Sequence, residues 1–303
     1  MWEVILAGAA AIKVPSLVEA AARSTGERLL GPILDHLAQP IKDRTAKRAK
    51  ISQTLADTAS KIISDNPEVF RDTLIHTLNR AGAKTDRVEE TFIKSLQYLQ
   101  EDENLPPQEA APPSDDWLNR WSSYVEDASS EDLQLAFAKI LSGEIRKKGS
   151  FSLPTLRAVS EMSATTANDF QKIWSENIDD YAVKYAKYNR GEPWKTLIRL
   201  REAGLVSYSD ASIHRVPNAT SWQFGPNPYL NINVNPHIIS EVPIINFTQV
   251  GMEIGSILPK PDVESNLRRF AEDCPDKNGW KDAILIKSIN GELNFERIWK
   301  SEP

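Results

Sequence analysis

The residues able to do chemistry in this chain are few and scattered. His36, His76, His214 and His237 lie far apart in sequence and show no metal-ligand spacing. The single cysteine, Cys274, has no histidine or lysine next to it to lower its thiol pKa, and one cysteine cannot form an intramolecular disulfide. The chain has no Walker-type phosphate loop, no Gly-rich dinucleotide fingerprint and no Gly-x-Ser-x-Gly elbow. Its nearest approach to a metal nuclease is Asp276 followed by a strand ending in Lys287. Leu285 stands where a second acid belongs, so Mg²⁺ would lack a ligand. The expectation is a protein that is not an enzyme and takes neither cofactor nor metal.

Three groups of cations remain as binding candidates. Lys147 and Lys148, after Glu144 and Arg146, close a helix where positive charge complements the helix dipole. Lys195, Arg199 and Arg201 lie on a helix from Trp194 to Ala203, which would be a recognition helix if the strands after it form a wing. Lys42, Arg44, Lys47, Arg48 and Lys50 follow an apolar segment carrying Trp2, Ile5, Leu6, Leu30 and Leu34. An apolar face beside a basic cluster suits a membrane-surface helix, and suits equally a helix packed on a partner. Glu3, Glu19, Glu27 and Asp35 would repel an anionic surface, so packing is preferred, and Glu3 replaces the positive start of a signal peptide. A net charge of −6 argues against a nucleic-acid coat. Protein contact therefore ranks ahead of DNA for Lys195, Arg199 and Arg201.

The elements that position these groups centre on Trp117–Met162. Leu133, Phe137, Ile140, Leu141 and Ile145 recur at helical spacing, with Ser129-x-x-Asp132 as a capping signal and Gly149 as a stop. Ser152 caps a second helix with Pro154 in its first turn and Leu153, Leu156, Val159 and Met162 as its stripe. Gly143 inside the first helix costs about 1 kcal/mol relative to alanine, which predicts close approach of a neighbouring helix. The alternative to a plain helix-end role for this polar cluster is that Glu144 is held inside by a partner such as Arg157, fixing how the two helices meet.

Ala138-Lys139-Ile140-Leu141-Ser142-Gly143-Glu144-Ile145, then Gly149-Ser150-Phe151-Ser152-Leu153 and Thr155-Leu156, resemble the signature of a bacterial family catalogued as domain of unknown function 2806. That family is similar in style to the Abi-alpha group of abortive-infection proteins. Trp117, Phe137, Leu141, Gly143, Glu144, Gly149, Ser152 and Leu156 are its structural positions in this sequence. Phe137 stands where tryptophan is common, and Lys148 where proline is common. The resemblance covers Asp115 to Leu258 and implies no reaction. It implies a cytoplasmic phage-defence protein that binds a protein partner or a phage component, as sensor or adaptor. Homo-oligomerisation and peripheral contact with the inner membrane are the further partner expectations.

The expected fold is mainly α. Residues 1–100 form an N-terminal helical domain, and 101–116, rich in proline and acid, a linker. Residues 117–192 form a helical core in which Tyr181, Tyr185 and Tyr188 share one helix face. Residues 193–259 read as a winged-helix-like α+β segment, and 260–303 as a separate small unit built on a hairpin. Asn290-Gly291 is a strong hairpin turn that sets Ile286 opposite Phe295 and Ser288 opposite Leu293. A helix from Val263 to Phe270 is expected to cover that apolar face.

Overall fold

The computed structural model describes residues 83–84, 86–95, 97–98, 113–207, 213–215, 220–235, 241–274 and 277–301. The chain divides into two compact units, Met1–Ser160 and Glu161–Pro303. Trp2, Leu30, Leu34, Lys47, Arg48 and Lys50, and linker residues 101–112, lie outside the described residues.

In the first unit, residues 83–98 are helical wherever they are described. Helices α1 (Asp115–Asp127), α2 (Glu131–Arg146) and α3 (Leu153–Glu161) follow. Each start has a local cause. The Ser114 hydroxyl accepts from the Trp117 N–H, with Asp115 and Asp116 in the first turn. Ser130, one residue after the expected cap, accepts from the Leu133 N–H. Gly149 adopts φ +86°, which turns the chain out of α2, and the Ser152 carbonyl receives the first N–H groups of α3. Trp117, Leu118, Trp121 and Val125 of α1, Phe137, Ile140, Leu141 and Ile145 of α2, and Leu156 and Val159 of α3 are buried. Leu153 departs from its expected stripe and is 45% exposed.

The second unit overturns the mainly-α expectation, because it contains two four-stranded antiparallel sheets. Its order is α4 (Ala164–Trp174), β1 (Tyr181–Val183), a 3₁₀ turn (Ala186–Asn189), α5 (Gly191–Glu202), β2 (Val206–Ser207), β3 (Ile213–Arg215), β4 (Ser221–Phe224), β5 (Tyr229–Val234), β6 (Glu241–Phe247), α6 (Gln249–Gly255), α7 (Val263–Asp273), β7 (Trp280–Ile289) and β8 (Glu292–Lys300). The first sheet runs β1-β6-β2, with β3 also paired to β6. In that sheet β6 lies between β1 and β2, and β3, β4 and β5 come between β2 and β6 in the chain. The tyrosine-rich stretch is therefore not one helix. Tyr181 opens β1 while Tyr185 and Tyr188 flank the 3₁₀ turn, and all three are buried.

Two glycine-dependent joints hold this arrangement. At the end of α5, Gly204 takes φ +72°. Its N–H donates to the Arg201 carbonyl, and that of Leu205 donates to the Leu200 carbonyl, which is a Schellman stop. Thr248 caps α6 and donates through Oγ1 to the Gly204 carbonyl at 2.6 Å. Gly251, in the first turn of α6, lies against the Leu205 carbonyl with no room for a side chain.

The second sheet, β4-β5-β7-β8, corrects the expected separate hairpin unit, because β7 pairs along β5. The hairpin register is as the Asn290-Gly291 turn dictates, with Ile286 opposite Phe295 and Ser288 opposite Leu293. The covered face is the other one. Phe270 of α7 packs edge-on against Phe224 and Trp280, over Leu230, Ile232, Ala283 and Leu285, all fully buried. Phe295 and Leu293 stay 66% and 53% exposed.

Candidate functional site

The family-like signature gathers around one loop, residues 147–152. Glu144 is only 3% exposed, and both its carboxylate oxygens are taken by backbone donors. Oε1 accepts from the Gly149 N–H at 2.7 Å and Oε2 from the Phe151 N–H at 2.9 Å. Its partners are thus main-chain groups, not the Arg157 guanidinium that the sequence suggests. Gly143 sits against the Phe151 ring, where a Cβ would stand 2.5 Å from Cε2. The close neighbour is this ring, just before α3, and not a helix backbone. Trp117 Nε1 donates to the Phe151 carbonyl at 2.7 Å, so Phe151 is fixed through its N–H, its carbonyl and its ring. Two further side chains bond inward to backbone: Trp121 Nε1 to the Phe137 carbonyl, and Gln134 Nε2 to the Ala128 carbonyl. A buried carboxylate with both oxygens so occupied is placed as a loop anchor. Lys147 and Lys148 stand exposed on that loop.

The α5 cations are drawn into ion pairs. Arg199 meets Asp169 of α4 at 2.6 Å through Nη2 and 3.1 Å through Nε, and also donates to Thr196 Oγ1. Asp169 is buried, so this pair fastens α5 to α4. Lys195 pairs with Glu192 at 2.7 Å one turn earlier. Glu192 is held below its ordinary range, by the Lys195 hydrogen bond first and then by its charge. Arg201 is exposed beside Glu202 at the helix end. The outer face of α5 therefore carries balanced charge.

Two polar junctions escaped sequence reasoning. Glu176, in the turn after α4, receives Lys187 at 2.5 Å, the Tyr188 hydroxyl at 2.8 Å and Arg269 at 3.2 Å. The Arg269 guanidinium lies 4.4 Å from the centre of the Tyr185 ring. Burial pushes the Tyr185 and Tyr188 hydroxyls far above the ordinary tyrosine range, and Glu176 raises both further. Both remain protonated, and Tyr188 donates to Glu176. On the covered sheet face, Glu264 of α7 joins Lys287 and Arg268, and Arg268 reaches Glu296 of β8. This uses Lys287, the lysine of the nuclease-like order, while Asp276 lies outside the described residues. No motif marks either junction, because each draws on residues from distant elements.

Among the described residues, no group of three or more His, Cys, Asp and Glu side chains is placed to hold a metal ion. No described helix is long and apolar enough to cross a membrane.

Residues 79–180 match a family model described as "Protein of unknown function (DUF2806)", and this segment belongs to that family. The match starts earlier and ends earlier than the expected Asp115–Leu258, and it contains α1, α2, α3, α4 and the whole loop-anchoring signature. Neither a curated protein nor a solved structure matches the chain.

Proposed function

We propose that the protein acts by binding, as an infection sensor or as an adaptor for an effector partner, in a bacterial defence against phage of the abortive-infection kind. It works in the cytoplasm and catalyses no reaction of its own. The defence setting rests on the family resemblance. The binding role rests on how the polar groups are used. Glu144 anchors a loop, Arg199 and Lys195 are paired within their own unit, and Glu176, Glu264 and Glu296 join elements. The observation that carries the reading is the apolar pair Leu293 and Phe295, held open to solvent on a regular strand. Both lie on one face of β8, with Ile286 of β7 opposite Phe295, so they form a contiguous apolar strip of the kind that marks an interaction site. Expression in a phage-sensitive host is expected to lower plating of at least one phage, and Phe295→Lys to remove that protection. Unchanged plating across a broad phage panel overturns the defence reading.

A second reading, a winged-helix regulator of DNA, is favoured by the sheet order β1-β6-β2, with α5 between β1 and β2 in the chain. The balanced charge on α5 weighs against it, because phosphate contacts need cations not already matched by acids. Gel shifts with mixed-sequence duplexes are expected to show no binding at moderate salt. A salt-sensitive shift abolished by Lys195→Glu with Arg201→Glu would reverse the ranking.

A further inference from the structure

β8 is one edge of the second sheet, and among the described residues its only strand partner is β7. Asn290 and Gly291 have φ +52° and +84°, the signature of a two-residue I′ hairpin. In such a hairpin the flanking pair, Ile289 and Glu292, exchanges main-chain hydrogen bonds, and bonding then alternates along the strand. The main-chain groups of Glu292, Asn294 and Glu296 therefore face β7, and those of Leu293, Phe295 and Arg297 face outward. Ser288, opposite Leu293, obeys the same alternation: its N–H turns away from β8 and donates to Asn227 Oδ1 at 3.2 Å. The outward-facing residues also carry the side chains of the uncovered sheet face, with Phe295 and Leu293 beside Ile286. The ladder stays regular until the register shift that sets Ile284 against Arg297 and Ala283 against Trp299. Natural edges of this length are normally blunted by bulges, prolines or inward charges. From Glu292 to Arg297 this one has no bulge or proline, its inward charge Glu296 is matched by Arg268, and its only cation is at the end.

We propose that β8 pairs antiparallel with β8 of a second copy of this chain, about a two-fold axis at Phe295. This deepens the binding reading above and rests on it. Charge and length together select the register: centring the pair on Leu293 would run it into the turn, with Phe295 against Gly291, and centring it on Arg297 would set that residue against itself. Centring the pair on Asn294 sets Glu292 against Glu296 twice, and centring it on Glu296 sets that residue against itself. Like charges directly opposed destabilise a sheet. Centring on Phe295 sets Leu293 against Arg297, Asn294 against Glu296, and Phe295 against its own copy, with no like-charge pair. The open main-chain groups of Leu293, Phe295 and Arg297 then meet their equivalents, as a closed two-fold interface requires. Two four-stranded sheets become one of eight strands, and the exposed phenylalanines cover each other.

The test uses the full chain. Sedimentation of the wild type is expected to show a concentration-dependent dimer, and Phe295→Lys to raise its dissociation constant by roughly tenfold or more. In a Cys274→Ser background, Phe295→Cys is expected to yield a disulfide-linked dimer on mild oxidation. Leu293→Cys is expected not to, because it would face Arg297 of the other copy. Cross-linking at 293 in preference to 295, or a wild type that stays monomeric at all concentrations, overturns the proposal. The cysteine pair decides the register even if Phe295→Lys is unstable. A monomer whose phage protection is still lost on Phe295→Lys refutes the second copy while the binding reading stands. A dimer of the stated register without any phage protection refutes the defence reading alone.

Discussion

In the helical unit the decisive polar side chains turn inward and bond to backbone. Glu144, Trp117, Trp121 and Gln134 each satisfy main-chain groups of a loop or a helix. In the sheet unit they stand nearer the surface and bond mostly to each other, as in Arg199 with Asp169, Arg268 with Glu264 and Glu296, and Glu176 with Lys187 and Arg269. The two styles differ in what a single loss does. Removing a buried acceptor strands donors that water cannot reach, whereas removing one half of an exposed pair such as Arg268–Glu296 leaves the other half solvated; Arg199, whose partner Asp169 is buried, is the exception in the sheet unit. A signature in the first unit is thus explained by folding alone, without any ligand.

The largest expected effect comes from Glu144→Ala. It strands the Phe151 N–H, which is buried, and the Gly149 N–H, which is partly buried. At about 1–3 kcal/mol for each such group, the loss is about 4 kcal/mol in urea unfolding. Glu144→Gln, which keeps one acceptor oxygen, is expected to recover part of it. A loss below about 1 kcal/mol for the alanine variant would show that the loop re-solvates and that the anchor is dispensable.

Two glycines extend the comparison across the units. At Gly251 a new Cβ meets the Leu205 carbonyl, a main-chain atom fixed by the Schellman stop and by the Thr248 N–H. At Gly143 it meets the Phe151 ring edge. The ring must move by about 1 Å, which a side chain can do about its own torsions, but a carbonyl already bonded cannot. Gly251→Ala is therefore expected to cost about 3 kcal/mol and Gly143→Ala about 1–2 kcal/mol, since overpacking typically costs 1–3. Thermal melts in the reverse order would show that Phe151, held at its N–H and carbonyl, is the more rigid of the two.

Much of the local structure was legible. The α2 stripe, the glycine after α5 and the Asn290-Gly291 hairpin each follow from short-range chemistry, and the structure keeps the predicted pairing of Ile286 with Phe295. What was not legible depends on distant chain. Tyr181, Tyr185 and Tyr188 have helical spacing, but β6 captures Tyr181–Val183 as a three-residue strand. The alternation of β7 and β8 defines two faces without saying which one a helix covers. That choice is dominated by the burial of Phe270 against Phe224 and Trp280, with a small bias from Glu264 and Arg268 on α7, which meet Lys287 and Glu296 on the same face and leave Phe295 on the other. Glu144 was singled out, but its partners are N–H groups, and backbone donors have no letter in a sequence.

The smallest expected effect tests that choice of face. Hydrogen bonds from Lys287 and then Arg268 hold the Glu264 carboxyl below its ordinary range, and Arg268 does the same for Glu296. A carboxyl lowered in the folded state contributes stability above its unfolded pKa, about 4.3, and loses that contribution as pH falls through the lower folded value. Both carboxylates are exposed to solvent, so the contribution is small and weakened by salt. Glu296→Gln is expected to lower the melting temperature slightly and evenly from pH 5 upward. As pH falls through the lower folded value the wild-type carboxyl takes up its own proton, and the two melting curves should converge. A difference that persists undiminished in that acid range, or is unchanged in high salt, would mean that Glu296 holds α7 against β8 by packing. The face left open to a second copy would then be set by the burial of Phe270 and Leu285 with no contribution from charge.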